Sequence, residues 1–318
     1  MNQVVPKIII GTSGQVANAL REKLLLSGNK VWTTSRTPDP SKNCFFLDLG
    51  NPKSITAFFS EFSTKFLGKK TDVYLPGAIT HVDKCEQEPK RCYELNAEGP
   101  SRVAEVCYRY GYRLCFYSSE YVFGEAEYRG GKIGPFSEID PPAPTSIYGK
   151  SKLEAENSLL KISPNFKPLI IRTTMVFSYD KNGLNFVMQV RRHIERWLKG
   201  DHSQSFRIPV DQISTPTYAP ALADASIHLM NEACSGIYHI VGRDLLSRKE
   251  FIERIIDFFS YPKEEAMQAF QFLATAELAQ SAKRPLSAGL KTEKAEKAGV
   301  KIWDLEKSFG DFSAREQS

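Results

Sequence analysis

The chain has 318 residues, of which 42% are hydrophobic and 25% charged, values typical of a globular protein of one large or two closely packed domains. Its net charge of +5 arises from intermixed signs without a long basic block, which disfavours nucleic-acid binding and favours an anionic small molecule as partner. No apolar run approaches the roughly 18 residues needed to span a bilayer, and the N-terminus lacks the apolar core of a signal peptide, so we expect a cytoplasmic protein without a membrane partner.

The first half of the chain alternates short apolar runs with helix-forming stretches. Strands are predicted at residues 4–10, 30–34, 44–47, 72–75, 113–117 and 168–172. Helices are predicted at residues 14–26, 52–66 and 90–110 and from Tyr148 onward. Alternation at this spacing is typical of a parallel sheet covered on both faces, and right-handed crossovers make it a doubly wound, Rossmann-like α/β fold.

The rhythm changes after about residue 175. Helices are predicted at residues 184–199, 219–231, 247–259 and 292–298, with one strand at 236–241 that returns to the large sheet. We interpret residues 1–175 as a nucleotide-binding domain, joined by a return segment near 211–243, and residues 176–318 as a smaller, partly helical, substrate-binding lid.

Cysteine and histidine spacing argues against a metal centre. The cysteines form no CxxC pair, and the five histidines form no cluster with ligand spacing. We therefore expect free thiols in a reducing cytosol and no catalytic metal.

Tyr148 and Lys152 are the most informative residues of the chain. They are four apart in a run of good helix formers, which places them on one face of a helix. An ammonium beside a phenol lowers its pKa from about 10, so the phenol could donate and accept a proton near neutrality. Tyr128 and Lys132 have the same spacing, but two intervening glycines should keep that pair off a helix. Tyr148 is thus predicted to protonate a carbonyl oxygen during reduction.

The turn at residues 11–17 has the pattern Gly-x-x-Gly-x-x-Ala between the first strand and the first helix. Glycines there let backbone amides approach a diphosphate at the positive end of the helix, although a turn shaped only by packing is the alternative. The residues expected to meet the cofactor are Gly11, Ser13, Gly14, Gln15 and Val16.

The end of the second strand indicates which dinucleotide is bound. An NAD enzyme usually carries an acidic residue there for the ribose hydroxyls, whereas this chain has Arg36, which could hold a 2′-phosphate. We therefore predict NADPH, with NADH and a solvated arginine left open. Asp48 and Leu49, after the third strand, are placed to meet the adenine or to form an ordinary turn.

Hydroxyl and acidic side chains follow the fifth strand, at the edge where ligands bind in such sheets. Ser119 could orient a substrate carbonyl toward Tyr148, although a serine pair at a strand end can also be a simple cap. Ser118 and Glu120 are further substrate candidates, with Glu120 as a contact or an auxiliary acid. Arg284, before a proline, is a candidate for a nucleotide-linked substrate. The same could hold for basic residues of the 184–199 helix, most of which we expect to be solvated.

These motifs, in this order over nearly the whole chain, resemble those of the extended short-chain dehydrogenase/reductase superfamily, and within it the dTDP-4-dehydrorhamnose reductase family. The segments that carry the resemblance are residues 11–15, 78–86, 95–97, 118–123, 148–154, 172–174, 211–217 and 284–285, the last together with Leu290 and residues 292–294. The chain departs from that family at four positions. Ser119 replaces threonine, Glu120 replaces aspartate, and Ala17 replaces the last glycine of the cofactor turn. Met175 stands where a tryptophan is common, so other keto-sugars stay open as substrates.

The resemblance implies roles for individual residues. Tyr148 would be the acid, Lys152 would hold the nicotinamide ribose, and Ser119 would orient the carbonyl. Residues implied to lie along the cofactor or support it are Ala78, Thr80, Asn96 and Thr174. Residues implied on the substrate side are Val82, Ser118, Glu120, Met175, Gln212 and Arg284.

The implied reaction is the NADPH-dependent reduction of the 4-keto group of a dTDP-linked deoxysugar, supplying a surface polysaccharide. Two alternatives share the fold: a nucleotide-sugar epimerase or dehydratase, and a non-catalytic subunit like the regulatory beta subunit of methionine adenosyltransferase. Net NADPH consumption would separate the reductase from the first, and a copurifying partner without turnover would favour the second. A nucleotide-sugar is the expected ligand, and a homodimer is left open.

Overall fold

The computed structural model describes residues 5–66, 68, 70–124, 131, 133–181 and 183–318. Its strands are β1 Lys7–Ile10, β2 Val31–Ser35, β3 Cys44–Phe46, β4 Asp72–Leu75, β5 Arg113–Ser119, β6 Leu169–Thr173, β7 Val176–Phe177, β8 Phe206–Pro209, β9 Ile213–Ser214, β10 Thr217–Tyr218, β11 Gly236–His239, β12 Leu246–Ser247 and β13 Phe270–Leu273. Its helices are α1 Gln15–Leu26, α2 Pro52–Lys65, α3 Val82–Gln87, α4 Pro89–Tyr93, α5 Gly99–Tyr110, α6 Ile147–Lys161, α7 Phe186–Leu198, α8 Ala219–Asn231, α9 Arg248–Phe258, α10 Lys263–Gln268, α11 Glu293–Lys297 and α12 Leu305–Gln317. Val4 of the first predicted strand, and both Tyr128 and Lys132, lie outside the described residues.

Seven strands form the central sheet in the order β3-β2-β1-β4-β5-β6-β11, and every neighbouring pair is parallel. The predicted doubly wound α/β fold is confirmed, including the return of the 236–241 segment to the sheet as β11. From β1 the chain winds outward through β2 and β3, and from β4 it winds the other way. The direction reverses between β1 and β4, which is where such sheets bind ligands at their carboxyl edge.

The sheet is buried on both faces, which explains why its strands are apolar without alternation. Ile8, Ile9 and Ile10 of β1 are at most 1% exposed. One face packs on α2, α5 and α6 through a cluster that includes Phe59 and Leu159. The other face packs on α1 and α8. Two helical layers thus hold the carboxyl edge of the sheet as a rigid platform.

A second cluster of elements lies after β6, with its own aromatic core. Helices α7, α9 and α12 pack around Phe177, Phe251 and Phe309, and β8 pairs with β13 in parallel. The predicted helices at 184–199, 219–231, 247–259 and 292–298 are confirmed as α7, α8, α9 and α11. The sequence pattern did not predict α12, β8 or β13.

The predicted helix at 90–110 is instead three consecutive pieces. A π-helical turn at Glu94–Glu98 separates α4 from α5. Pro100, near the start of α5, has no N–H to donate, so a continuous α-helical ladder cannot run through this point. Such turns often mark functional positions, and this one carries Asn96.

All six cysteines are free thiols. Across the described ranges, no helix combines the length and the apolar character needed to cross a membrane.

Candidate functional site

The tyrosine and lysine of the site lie on α6, as predicted, and both are buried, at 7% and 3% exposure for Tyr148 and Lys152. The helix begins where the Ser146 hydroxyl accepts a hydrogen bond from the Gly149 amide at 3.1 Å. A Cβ at Gly149 would come within 2.2 Å of the Tyr121 carbonyl oxygen. A glycine is therefore needed here for α6 to approach the segment after β5.

Two hydroxyls meet where β5 ends. Ser119, the last residue of β5, has its hydroxyl close enough to the Tyr148 phenol to influence its pKa, and its Oγ accepts a hydrogen bond from the Tyr121 amide at 3.3 Å. The Tyr121 ring stands edge-on to the Tyr148 ring, with centroids 5.4 Å apart. Two hydroxyls held together in this way can both hydrogen-bond to one carbonyl oxygen.

The expected lowering of the tyrosine pKa is wrong for this structure. Burial raises the pKa of Tyr148 above its ordinary value, and the nearby Ser119 hydroxyl opposes the rise only in part. The Lys152 ammonium donates to the Tyr117 carbonyl oxygen at 2.9 Å and lies 6.0 Å from the Tyr148 ring centroid. Burial also lowers the pKa of Lys152 to about 8. Desolvation dominates both pKa shifts because both side chains are almost fully buried.

Asn96 supports the site from behind. It is 0% exposed, its Oδ1 accepts from the Ile79 amide at 2.8 Å, and its Nδ2 donates to the Ile79 carbonyl at 2.9 Å. These bonds fix the backbone between the half-buried Ala78 and the exposed Thr80. Asn96 therefore holds the segment predicted to run along the cofactor and does not itself face the cleft.

Two buried thiols lie next to Tyr148. Cys85 and Cys92 cluster with Tyr148, and the Cys92 Sγ is 3.4 Å from the Ser151 Oγ. Hydrogen bonds, chiefly from Cys85, lower the pKa of the Cys92 thiol. No spacing in the sequence pointed to this pair.

The predicted cofactor turn has a backbone that only glycine adopts readily. Gly11 has φ +102°, and its amide donates to the Thr34 Oγ1 at 3.3 Å. Ser13 and Gly14 are exposed, and no side chain caps the start of α1. The N-terminal amides of α1 thus form the positive end of a helix beside the β1–β4 pair, where the strand order reverses, which fits a diphosphate.

Gln15 and Val16 open α1, and both are half-buried. The Gln15 side chain is engaged elsewhere: its Nε2 donates to the Val176 carbonyl at 3.1 Å, and its Oε1 accepts from the Ser178 hydroxyl at 2.9 Å. Only the backbone of Gln15 is therefore left for a cofactor, while its side chain ties α1 to the segment after β6.

Arg36 is exposed directly after β2, and within the described part of the chain it forms no ion pair. It therefore fits a 2′-phosphate. Asp48 is used by its own turn, since its Oδ1 accepts from the Gly50 amide at 3.0 Å and lies 3.9 Å from the Arg91 guanidinium. Leu49 is buried at 9% exposure.

Glu120 has different contacts from those expected of a substrate residue. It is 4% exposed, and its carboxylate accepts from Thr174, from Ser214 at 2.9 Å and from the Gly289 amide at 3.3 Å. Burial raises its pKa, although these donors oppose the rise. Glu120 thus ties the ends of β5 and β6 to β9 and to the loop at residue 289. It also occupies the Thr174 hydroxyl that was expected to face the nicotinamide.

Ser118 is separated from the reactive group. Neighbouring residues of a strand point to opposite faces, so Ser118 and Ser119 cannot both face Tyr148. The Ser118 hydroxyl is buried, and among the described residues it has no hydrogen-bond partner.

The remaining predicted substrate residues border the second cluster of elements. Met175 has a positive φ of 41° and packs against the aromatic core. The Gln212 Nε2 donates to the Thr275 Oγ1 at 3.1 Å. Arg284 pairs with Asp83, next to the half-buried Val82 at the start of α3.

The basic residues of α7 do not join this site. Arg191 donates to the Glu316 carboxylate at 2.8 Å and stacks 4.0 Å from the Phe259 ring centroid. Arg192 donates to the Gly183 carbonyl, and with Arg196 it lines a separate groove of about 540 Å³ on the outer side of α7.

Sequence reasoning missed two residues that border the site, Tyr121 and Arg248. The Ser247–Glu250 capping box marks the start of α9, but no local pattern shows that its first residue faces the end of β5. In the part of the chain that the structure describes, no group of three acidic, histidine or cysteine side chains is arranged to hold a metal ion.

Comparisons with known proteins show which family this chain belongs to. Residues 7–317 match the RmlD substrate binding domain family. A dTDP-4-dehydrorhamnose reductase of Salmonella typhimurium is 30% identical over 301 residues, which cover 90% of this chain and 89% of the relative.

Two solved structures have the same fold over almost the whole chain. A dTDP-4-dehydrorhamnose reductase of Clostridium acetobutylicum superposes with a TM-score of 0.81 at 25% identity, covering 99% of this chain and 100% of that one. Another, from Bacillus anthracis in complex with NADP, gives a TM-score of 0.81 at 23% identity and covers 98% and 100% of the two chains. Since the family match extends over nearly the entire sequence, this protein is a member of the RmlD substrate binding domain family.

Proposed function

We propose that this protein is an NADPH-dependent reductase of the 4-keto group of a dTDP-linked deoxysugar, as the names of its relatives indicate. The observation that carries the proposal is the meeting of the Ser119 and Tyr148 hydroxyls at the carboxyl edge of the sheet, with the buried Lys152 ammonium beside them. We place the reaction in the cytoplasm, where the six free thiols would stay reduced.

NADPH, when bound, supplies the hydride to the keto carbon. The Ser119 hydroxyl donates a hydrogen bond to the keto oxygen, and Tyr148 delivers its phenolic proton to that oxygen as negative charge develops. A raised phenol pKa keeps the proton on Tyr148 until the oxygen becomes the stronger base. Lys152 then stabilises the resulting phenolate by its positive charge.

The candidate cofactor residues contribute either backbone groups or a charged side chain to the cofactor. The start of α1 offers backbone amides to the diphosphate, and the segment held by Asn96 offers backbone along the rest of the cofactor. Arg36 offers a guanidinium for the 2′-phosphate.

The function test is the oxidation of NADPH by the purified protein with dTDP-4-dehydrorhamnose. We expect consumption of NADPH in proportion to the keto-sugar reduced, and no consumption with dTDP-glucose, which has no keto group. Conversion of a nucleotide-sugar without net NADPH loss would contradict the proposal and indicate an epimerase or dehydratase. NADPH binding without turnover of any keto-sugar would contradict it too and favour a regulatory subunit.

The cofactor preference is testable at Arg36. We expect Arg36→Gln to weaken NADPH binding by about tenfold to a hundredfold, because a charge-assisted contact to the 2′-phosphate is lost. NADH, which lacks that phosphate, should bind the variant and the wild type alike. Fluorescence titrations with both cofactors measure this, and equal losses for both would mean that Arg36 does not read the phosphate.

A further inference from the structure

Arg248, the first residue of α9, is partly buried and keeps some contact with solvent. The surrounding protein desolvates its guanidinium and lowers its pKa, yet the residue keeps part of its surface exposed. Within the described ranges its guanidinium donates no hydrogen bond and has no carboxylate within 4 Å. An arginine that is partly exposed and has its N–H groups unused can receive an anion.

The position of this side chain is fixed by its surroundings. The Arg248 amide donates to the Gln212 carbonyl at 3.2 Å, and the guanidinium carbon lies 5.3 Å from the Phe186 ring centroid. The nearby Glu120 carboxylate is engaged by Thr174, Ser214 and Gly289. One face of the guanidinium therefore lies over an aromatic ring. Among the described residues, its N–H groups have no carboxylate to pair with.

A second guanidinium faces the same point. The charges of Arg284 and Arg248 both oppose the burial that raises the pKa of Tyr121. Arg248 is attracted by the Glu120 carboxylate and, more weakly, repelled by Arg284. Asp83 balances only Arg284. Both cations thus lie in the surroundings of Tyr121, whose ring centroid is 5.4 Å from that of Tyr148. A bound dianion would relieve their repulsion.

We propose that Arg248, acting with Arg284, binds the diphosphate of the substrate and so presents its keto-sugar to Tyr148. The inference rests on the proposed function, because in a sugar nucleotide the diphosphate is separated from the reacting carbonyl by the sugar ring alone. It makes Arg248 a substrate-binding residue that no sequence motif indicated.

The test compares the binding of dTDP, thymidine and NADPH to the wild type, Arg248→Gln and Arg254→Gln by isothermal titration calorimetry. Arg254 is the matched control, because it lies on the same helix and is exposed. We expect Arg248→Gln to weaken dTDP binding by about tenfold to a hundredfold. Thymidine binding, NADPH binding and the Arg254→Gln variant should be unchanged.

Equal dTDP affinity in Arg248→Gln and the wild type would overturn the inference, and so would an equal loss for thymidine and dTDP. A binding measurement with inorganic pyrophosphate distinguishes a failure of this inference from a failure of the proposed function. If the wild type binds pyrophosphate through Arg248 but does not bind dTDP, the anion site is supported and the thymidine nucleotide is excluded. Loss of NADPH binding in the variant would show general disruption and also count against the inference.

Discussion

Replacing Tyr148 with phenylalanine is expected to lower kcat for keto-sugar reduction by about 10²- to 10⁴-fold, the usual contribution of a positioned general acid. The substitution removes the phenolic proton and keeps the ring, whose edge-to-face packing with Tyr121 holds this part of α6. Stopped-flow or steady-state NADPH oxidation measures the change. NADPH affinity and the melting temperature should stay close to those of the wild type, because the variant loses one hydroxyl and no ring packing.

Tyr108→Phe is the matched control for this experiment. Tyr108 is 45% exposed on α5, and its ring packs on Phe166, which follows the C-terminal end of α6, whereas Tyr148 lies in the first turn of that helix. Removing its hydroxyl should leave kcat unchanged. If Tyr148→Phe keeps more than about a tenth of the wild-type rate, proton delivery by Tyr148 is wrong and another acid must serve.

The parts of this fold that sequence predicted are those with strong local patterns. The buried strands read as uninterrupted apolar runs, as in Ile8 to Ile10, and the helices of the sheet domain follow them at regular spacing. Helix α12 escaped because its sequence is mostly polar and contains Gly310. It buries Leu305, Phe309 and Phe312 along one narrow face, and that face is recognisable only when its partner core is known.

In the site, too, local features could be predicted from the sequence and long-range contacts could not. Tyr148 and Lys152 are set by one helix, so their proximity could be predicted from spacing. The contacts of Glu120 could not, because they come from Thr174, Ser214 and Gly289, which are 54 to 169 residues away in the chain. The direction of the pKa shift at Tyr148 also depends on how completely the fold excludes water from the phenol. Residue types alone do not predict this.

The strongest effect on stability is expected at the Arg172–Glu156 ion pair. Arg172 of β6 is 2% exposed, and its Nε and Nη2 donate to the two Glu156 oxygens at 2.9 and 2.6 Å. Glu156 is 1% exposed on α6, in the same stripe as Tyr148 and Lys152 at four-residue intervals. The pair therefore joins the helix that carries the reactive residues to the strand beside it.

Arg172→Met should lower the free energy of unfolding by about 3–5 kcal/mol, because it leaves the Glu156 carboxylate buried without a counter-charge. The double variant Arg172→Met/Glu156→Met should recover most of this loss, since it buries no unpaired charge. Arg102→Met is the control, as the Arg102–Glu98 pair is 36% and 49% exposed and should contribute less than about 1 kcal/mol. Urea unfolding of the four proteins measures these differences. A double variant as unstable as Arg172→Met would show that the lost packing of Arg172, and not the unpaired Glu156 charge, causes the destabilisation.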